Sequence, residues 1–487
     1  VTLLLQNGRL PGGAPVDLEI ADGVVRAMRP AGERRAAGET VDLDGRYVIP
    51  GLWDNHVHMN QWALTTRRLD VSAAASAAEA ARHVAVRADA TAAGETLVGF
   101  GFRDGLWADP PSVQALDAAA GSVPVVLVSA DLHCCWLNSA ALAQYGFTAG
   151  ADGLLREEDA FSIERVINTV DDATLDRWVQ TAAQAAAARG VVGVVDLEMA
   201  WNLGAWERRI HSGTDSLRVE FGVYTQDLRR AIGLGLRTGQ RIAGTRGLLS
   251  VGPYKVITDG SLNTRTAYCF DEYPGLEGTV DARGQLTVPP EELLANVRLA
   301  VAAGLLPAVH AIGDQANALA LDAFEELGCA GSIEHAQLLR PADIERFARL
   351  GIVASVQPEH ALDDRDVADH FWAGRTSHAF MLRALLDAGA RLALGSDAPV
   401  APLDPWVTIA AAVGRTRDGR EAWHPEQAIT VPEALAASTR GRTVVAVGDA
   451  ADLAIIETDP LDASVDELRR MTVAATLLAG RFTHNAV

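Results

Sequence analysis

His56 and His58 stand two positions apart in the stretch YVIPGLWDNHVH, at the mouth of a short apolar run that reads as a buried strand. Side-chain direction on a strand repeats every second residue, so both imidazoles point the same way and suit chelation of one ion. Histidines at loop ends also hydrogen-bond without any metal, so the pair needs company. It has it: Lys255 in PYKVIT, His310 in PAVHAIGD, His335 in SIEHAQ and Asp397 in LALGSDAP all sit on or just after later strand-like runs, and Asp54 precedes the pair.

Four imidazoles and one carboxylate can hold two divalent ions if something bridges them, and zinc accepts such N and O ligands. Lys255 cannot bridge as an ammonium. Unprotonated, it can react with carbon dioxide to give a carbamate whose two oxygens span two cations, and nearby cations depress the amine pKa enough to permit this. The alternative for Lys255 is an ordinary lysine paired with an acid such as Asp259, since a buried unpaired lysine is costly. Singly, His310 and His335 also read as satisfied core histidines. Asp397 could bind one metal and take a proton from activated water, or simply cap a helix beginning near Ala398.

These residues converge only if the chain builds the right frame. From Tyr47 onward, doubly apolar strands alternate with longer helical segments, the pattern of parallel β/α construction. Eight strand candidates carry polar C-terminal ends: YVIPGLWDNH, then 191–199, 218–225, 253–260, 306–314, 332–337, 352–360 and 391–399. Eight such units close a (β/α)8 TIM barrel, with its active site at the strand C-terminal ends. The gap between the first and second strands is too long for one crossover, and it contains strands of its own near 96–102 and 124–133. It is read as an inserted lobe, about 65–175, overhanging the barrel mouth.

Asn7-Gly8, Asp22-Gly23 and Asp44-Gly45 mark hairpins or tight turns between short strands near the start of the chain. ADLAIIETDP and VAATLLAGRFTHN, the latter with a turn at Gly480, return to short strands near its end. The expected division is a small β-sandwich domain from 1–49 and 445–487, around a barrel domain over 50–444. The alanine-rich segments 73–93 and 181–189 read as amphipathic helices.

The 487 residues carry a formal net charge of -21, which argues against nucleic-acid and anionic-membrane partners. Four cysteines, Cys134, Cys135, Cys269 and Cys329, match neither a disulfide framework nor a zinc-finger array, so a reducing cytoplasm is expected. No run of about 18 apolar residues and no leader pattern is found. A small-molecule substrate and, by the usual symmetry of soluble enzymes, a homodimer are the expected partners.

PGLWDNHVH, GFGFRDGLW, ADLHCCWLNSAAL, YKVITDGSLNTRTA, VHAIGD, IEHAQ and GSDAPVAPLDPW together resemble the amidohydrolase superfamily, in its YtcJ-like, amidohydrolase-3 branch. WHPEQAITVPEAL and ADLAIIETDPL extend the likeness over nearly the whole chain. The resemblance implies a distorted (β/α)8 barrel with a flanking β domain, two divalent metals and hydrolysis of amide-like bonds. By carry-over His56, His58 and Asp397 hold the more buried ion, His310 and His335 the second, and carboxylated Lys255 joins them; some relatives use one metal or an unmodified lysine. The chain departs from the family at Asp131-Leu132-His133, usually Asp-Gly-His, and at Gly260-Ser261-Leu262-Asn263-Thr264-Arg265, often Gly-Ser-Leu-Gly-Ser-Arg. The segment between Arg440 and Ala451 is also shorter than usual.

The implied reaction is hydrolysis of an N-acyl, N-formyl or N-substituted amide, with Asp397 as proton acceptor and donor. His133 is the candidate donor to the tetrahedral oxyanion; orienting substrate or capping a loop are its other readings. Arg265 could pair with a substrate carboxylate or form a structural salt bridge, and Trp107, Trp136 and Phe102 could wall the substrate or fill the core of the lobe. Hydrolysis of a cyclic amide, carbamate or ester is the alternative reaction. A catalytically weak metal-binding regulatory protein is the alternative of another class.

Overall fold

The computed structural model describes residues 2–32, 38–91 and 94–487. Residues 1 and 33–37 of the expected N-terminal β region, and 92 and 93 at the end of the expected 73–93 helix, lie outside them.

Leu52–Val57, Val191–Asp196, Arg218–Tyr224, Leu249–Ile257, Pro307–Ala311, Ser332–His335, Val353–Val356 and Arg391–Leu394 form one eight-stranded parallel sheet in sequential order. Every residue of Val191–Asp196 is buried, as expected of a parallel strand covered on both faces. Between the last and first strands the barrel closes through a single parallel bridge, Val57 to Ala398. Two backbone hydrogen bonds make that seam: Asp397 N–H to His56 O at 2.7 Å and His58 N–H to Ala398 O at 2.8 Å. The fold is thus a distorted (β/α)8 barrel, and its seam is tied at the residues singled out for chemistry.

The expected first strand, YVIPGLWDNH, is two strands. Tyr47–Pro50 pairs antiparallel with Leu453–Ile456 in the small β sheet, and Leu52–Val57 begins the barrel. The break falls at Gly51, where a Cβ would lie 2.3 Å from Val192 Cγ1; only glycine lets the backbone pass so close to the next barrel strand.

Both chain ends build that small sheet, whose eight strands run from Thr2–Arg9 to Arg481–Asn485. The strands of the expected sandwich therefore belong to one hydrogen-bonded sheet. Asp22-Gly23 forms the predicted two-residue hairpin, with φ of 53° and 74°. Asn7-Gly8 does not turn the chain; it lies within Thr2–Arg9, where the register against Pro15–Ala21 slips. Left-handed Asn7, with φ of 55°, makes a bulge there because pairing continues on both sides of it.

The inserted segment carries its own five-stranded sheet, ordered Leu154–Arg156, Cys134–Leu137, Val125–Ser129, Leu97–Phe102, Leu69–Asp70. Its helix Ala77–Ala88 starts where Ser76 accepts a hydrogen bond from Glu79 N–H, a side-chain cap of the kind that satisfies a free helix-end donor. Phe102, Trp107 and Trp136 pack together with ring centroids 6.0 to 6.5 Å apart. Trp136 is fully buried and its indole N–H donates to Ser112 O at 3.1 Å. Replacing it with alanine is expected to cost about 3–5 kcal/mol, read as a lowered midpoint in denaturant unfolding; an unchanged midpoint would contradict this core assignment. No described helix is long and apolar enough to cross a membrane.

Candidate metal centre and active site

At the C-terminal mouth of the barrel, Asp54 Oδ1 accepts hydrogen bonds from His56 N–H and Ser396 N–H at 3.2 and 2.9 Å, joining the first strand to the loop after the last. Within this frame His56 Nε2 and His58 Nε2 lie 3.3 and 3.1 Å from Asp397 Oδ1. His56 donates Nδ1–H to Glu334 Oε2 at 2.8 Å, and Glu334 in turn accepts from Ser332 Oγ at 2.6 Å. A carboxylate behind an imidazole fixes its tautomer and aims the other nitrogen at an ion.

His335 lies beside this group, its ring centroid 5.0 Å from His56, 4.4 Å from His310 and 6.1 Å from His360. His335 and Asp397 hold left-handed φ of 75° and 56°, a conformation costly for residues other than glycine. In a regular strand Glu334 and His335 would point to opposite sides; the left-handed bend at His335 breaks that alternation, so one reaches His56 and the other the cavity.

The donors fit a metal. His56, His58 and Asp397 form one group, and His335, His360 and Asp397 a second, each with its ligand atoms within 4.8 Å of one another. His58 Nδ1, His310 Nε2, His335 Nδ1 and His360 Nε2 are buried without a hydrogen-bond partner, His310 Nε2 having only Asp259 Oδ1 near it at 3.4 Å, a concentration of unmet polar atoms that a folded core avoids unless something else engages them. Burial, together with the Lys255 charge near His310 and with His310 beside His335, holds both imidazoles well below the usual histidine range. Burial alone would raise Asp397; His56, His58 and His335 outweigh it and keep the carboxyl well below its ordinary value. Neutral His310 and His335 beside an ionised carboxylate match the protonation state metal ligation requires, whereas at His58 the Asp397 and Glu198 carboxylates outweigh burial and raise the imidazole.

Lys255 is buried in the same cluster, Nζ donating to His56 Nε2 at 3.4 Å. Burial lowers its pKa, against the pull of Glu334 and Asp397. The alternative pairing with Asp259 is not made. Asp259 instead accepts N–H bonds from Tyr268, Ile312 and Gly313 at 2.9, 3.0 and 2.8 Å. Those three donors already satisfy the carboxylate, leaving Lys255 free for another role.

His133 comes from the lobe and faces the same cavity. Its Nδ1–H donates to Glu157 Oε2 at 2.8 Å, while Glu157 Oε1 accepts from Thr266 and Thr264 hydroxyls at 2.6 and 3.1 Å. Burial would lower the imidazole pKa, but the Glu157 carboxylate, with Asp131 and Asp397 behind it, raises it to about 9. Asp131 accepts from Ser261 Oγ at 2.7 Å, tying the two segments that depart from the family pattern to each other.

Other expected residues are elsewhere. Trp136 and Trp107 belong to the core of the lobe and stand on no wall of the cavity, because packing of the lobe's own sheet and helices absorbs both rings. Arg265 turns its guanidinium over Phe371, 5.2 Å from the ring centroid, and it too is off the cavity wall. Conversely, His360, Glu334 and Glu157 belong to the site without having been singled out. His360 lies in the seventh strand candidate as read from sequence, but in the structure it follows that strand on the helix Pro358–Asp363. Glu157 had no sequence signal at all, being 24 residues from the histidine it holds.

Comparison with known proteins agrees with this geometry. The profile of the Amidohydrolase family matches residues 39–484. The chain is 30% identical to Protein LONG AFTER FAR-RED 3 of Arabidopsis thaliana, over 91% of this chain and 83% of that protein. It is 25% identical to the putative amidohydrolase YtcJ of Bacillus subtilis (strain 168), covering 96% and 95%, and 25% identical to N-substituted formamide deformylase of Arthrobacter pascens, covering 91% and 89%. Among solved structures, an uncharacterized metal-dependent hydrolase from Pyrococcus horikoshii superposes with a TM-score of 0.79 at 26% identity, over 96% of this chain and 99% of that one.

Proposed function

Because this chain belongs to the amidohydrolase family, we propose that its metal-dependent hydrolysis is directed at the C–N bond of a small N-acyl amide, with N-formyl amides the best fit. The observation that carries this reading is the cavity of about 80 Å³ lined by the histidine cluster, Asp397 and His133, where metal-competent donors, a proton acceptor and an N–H donor face one space. The likeness to a deformylase of N-substituted formamides is what favours a formyl-sized acyl group.

His56, His58 and Asp397 would hold one ion; His310 and His335, with His360 beside them, a second; and Lys255, as a carbamate, would span the two. Bound divalent metal, zinc in this proposal, supplies the positive charge that acidifies water towards neutrality and steadies negative charge on a carbonyl oxygen. The remaining steps belong to the chain. Asp397 accepts the proton of the attacking water and returns it to the departing nitrogen, so that the amine leaves neutral. His133, protonated and held through Nδ1 by Glu157, offers Nε2–H to the carbonyl oxygen as its charge grows.

The test is release of formate from a simple N-alkylformamide by the metal-loaded protein. Chelation should abolish turnover and added Zn2+ or Mn2+ restore it; a rate indifferent to chelation would overturn the proposal. For Lys255→Ala, elemental analysis is expected to find about one metal per chain against two in the wild type. An unchanged count would remove the bridging role.

A further inference from the structure

On the hydrolase reading proposed above, the amine portion of the substrate needs a space beside the reacting bond. Beside the small cavity lies a chamber of about 940 Å³, and His133, Phe161, Tyr224 and Lys255 stand in the walls of both. The chamber is the space next to the reacting bond that is large enough for the amine portion of a substrate.

Several carboxylates reach its wall, and all but one of the buried ones are satisfied. Glu157 is held by His133 and two threonines, Asp259 by three backbone N–H groups, and Glu198 accepts from Asn60 N–H, Gln61 N–H and the Gln61 side chain. Glu164 differs. It is 5% exposed, and among the described residues its one side-chain hydrogen bond is from the Cys135 thiol at 3.9 Å, too long to count as strong. Arg68 and His133 influence it only from farther away, and burial, the largest effect, pushes its carboxyl up to about 8. The neighbouring Arg165 does not serve it, being engaged by Glu158 Oε1 at 2.7 Å.

Position gives this carboxyl a direction. Phe161 and Glu164 are three apart on the helix Glu158–Ile167 and share a face. Phe161 packs edge-on to His133, ring centroids 5.5 Å apart. A chain running from the reacting bond past Phe161 therefore meets Glu164 about one helical turn, roughly 5 Å, farther on. A buried carboxylate short of donors gains most from a ligand that brings N–H groups and positive charge.

We propose that the chamber receives the amine side of the substrate and that Glu164 selects amides whose apolar amine chain ends in a second, cationic nitrogen: N-acyl diamines. Glu164 is a specificity-determining residue and takes no part in bond cleavage.

Two probes of matched length test this, N-(5-aminopentyl)formamide and N-hexylformamide, with metal-loaded protein. The wild type is expected to favour the cationic probe by about tenfold or more, both in kcat/KM and in Kd by titration calorimetry. In Glu164→Gln, an isosteric change, that ratio should fall close to one. Equal use of the two probes by the wild type, or a preference that survives in Glu164→Gln, overturns the proposal. If neither probe is hydrolysed but the cationic one binds more tightly in a Glu164-dependent way, the reaction assignment fails and the chamber assignment stands. If neither is hydrolysed and binding does not discriminate, both fall.

Discussion

Asp397→Asn is expected to lower kcat/KM by about 10³-fold, within the range that loss of a positioned proton acceptor and donor produces. The amide keeps an oxygen where Oδ1 now meets His56 and His58 at 3.3 and 3.1 Å, so the substitution removes charge and basicity with little change of shape. Metal content measured on the same sample separates the two contributions: Asp397→Asn should retain part of its metal while losing turnover, whereas Asp397→Ala should lose both. Wild-type turnover in Asp397→Asn would remove this carboxylate from the proton transfers. The wild-type carboxyl is held well below its ordinary pKa by three histidines, against the effect of burial. It therefore stays ionised and able to accept a proton down to acidic pH.

His133→Gln is expected to lower kcat by about 10²–10³-fold with a much smaller change in KM, the signature of a donor that acts on charge developing in the transition state. The pH profile gives an independent readout. With the imidazole raised to about 9, the wild type should lose activity as pH climbs through that value, and His133→Gln should lack this limb. Glu157→Gln, by weakening the main influence that raises the pKa, should move the limb to lower pH. Stability follows the same linkage: because the folded pKa lies above the ordinary 6.5, the His133–Glu157 pair contributes in full below about 6.5, and its contribution fades as pH rises through about 9. A high-pH limb that persists in His133→Gln would assign it to another group.

Much of the barrel and the gathering of its histidines was legible in the chain because both depend on short-range rules. Alternation along a strand places His56 on the inner side, and eight buried apolar runs with polar ends predict where His310, His335 and Asp397 gather. Lys255 was conspicuous as a lysine in an apolar strand, and the cluster indeed buries it beside His56. The Asp22-Gly23 turn was equally local, set by two residues that tolerate positive φ.

What lay beyond reach depends on contacts that no period announces. Trp107 and Trp136 could have been a substrate wall or lobe core, and packing of the lobe's sheet and helices decided for the core. Asn7-Gly8 carried the same dipeptide signal as a hairpin, yet its neighbours across the sheet made it a bulge. Glu334 was hidden by alternation itself, since only the left-handed backbone at His335 lets adjacent residues serve the same centre. The partnership of His133 with Glu157, and the buried carboxyl of Glu164 beside the chamber, arise where the lobe meets the barrel. Composition and spacing thus determined the type of frame and the strands that carry the histidine cluster. Tertiary packing decided which side chains are desolvated, which are left unpaired and which face one another, because burial and electrostatic environment belong to the assembled neighbourhood rather than to any segment of chain.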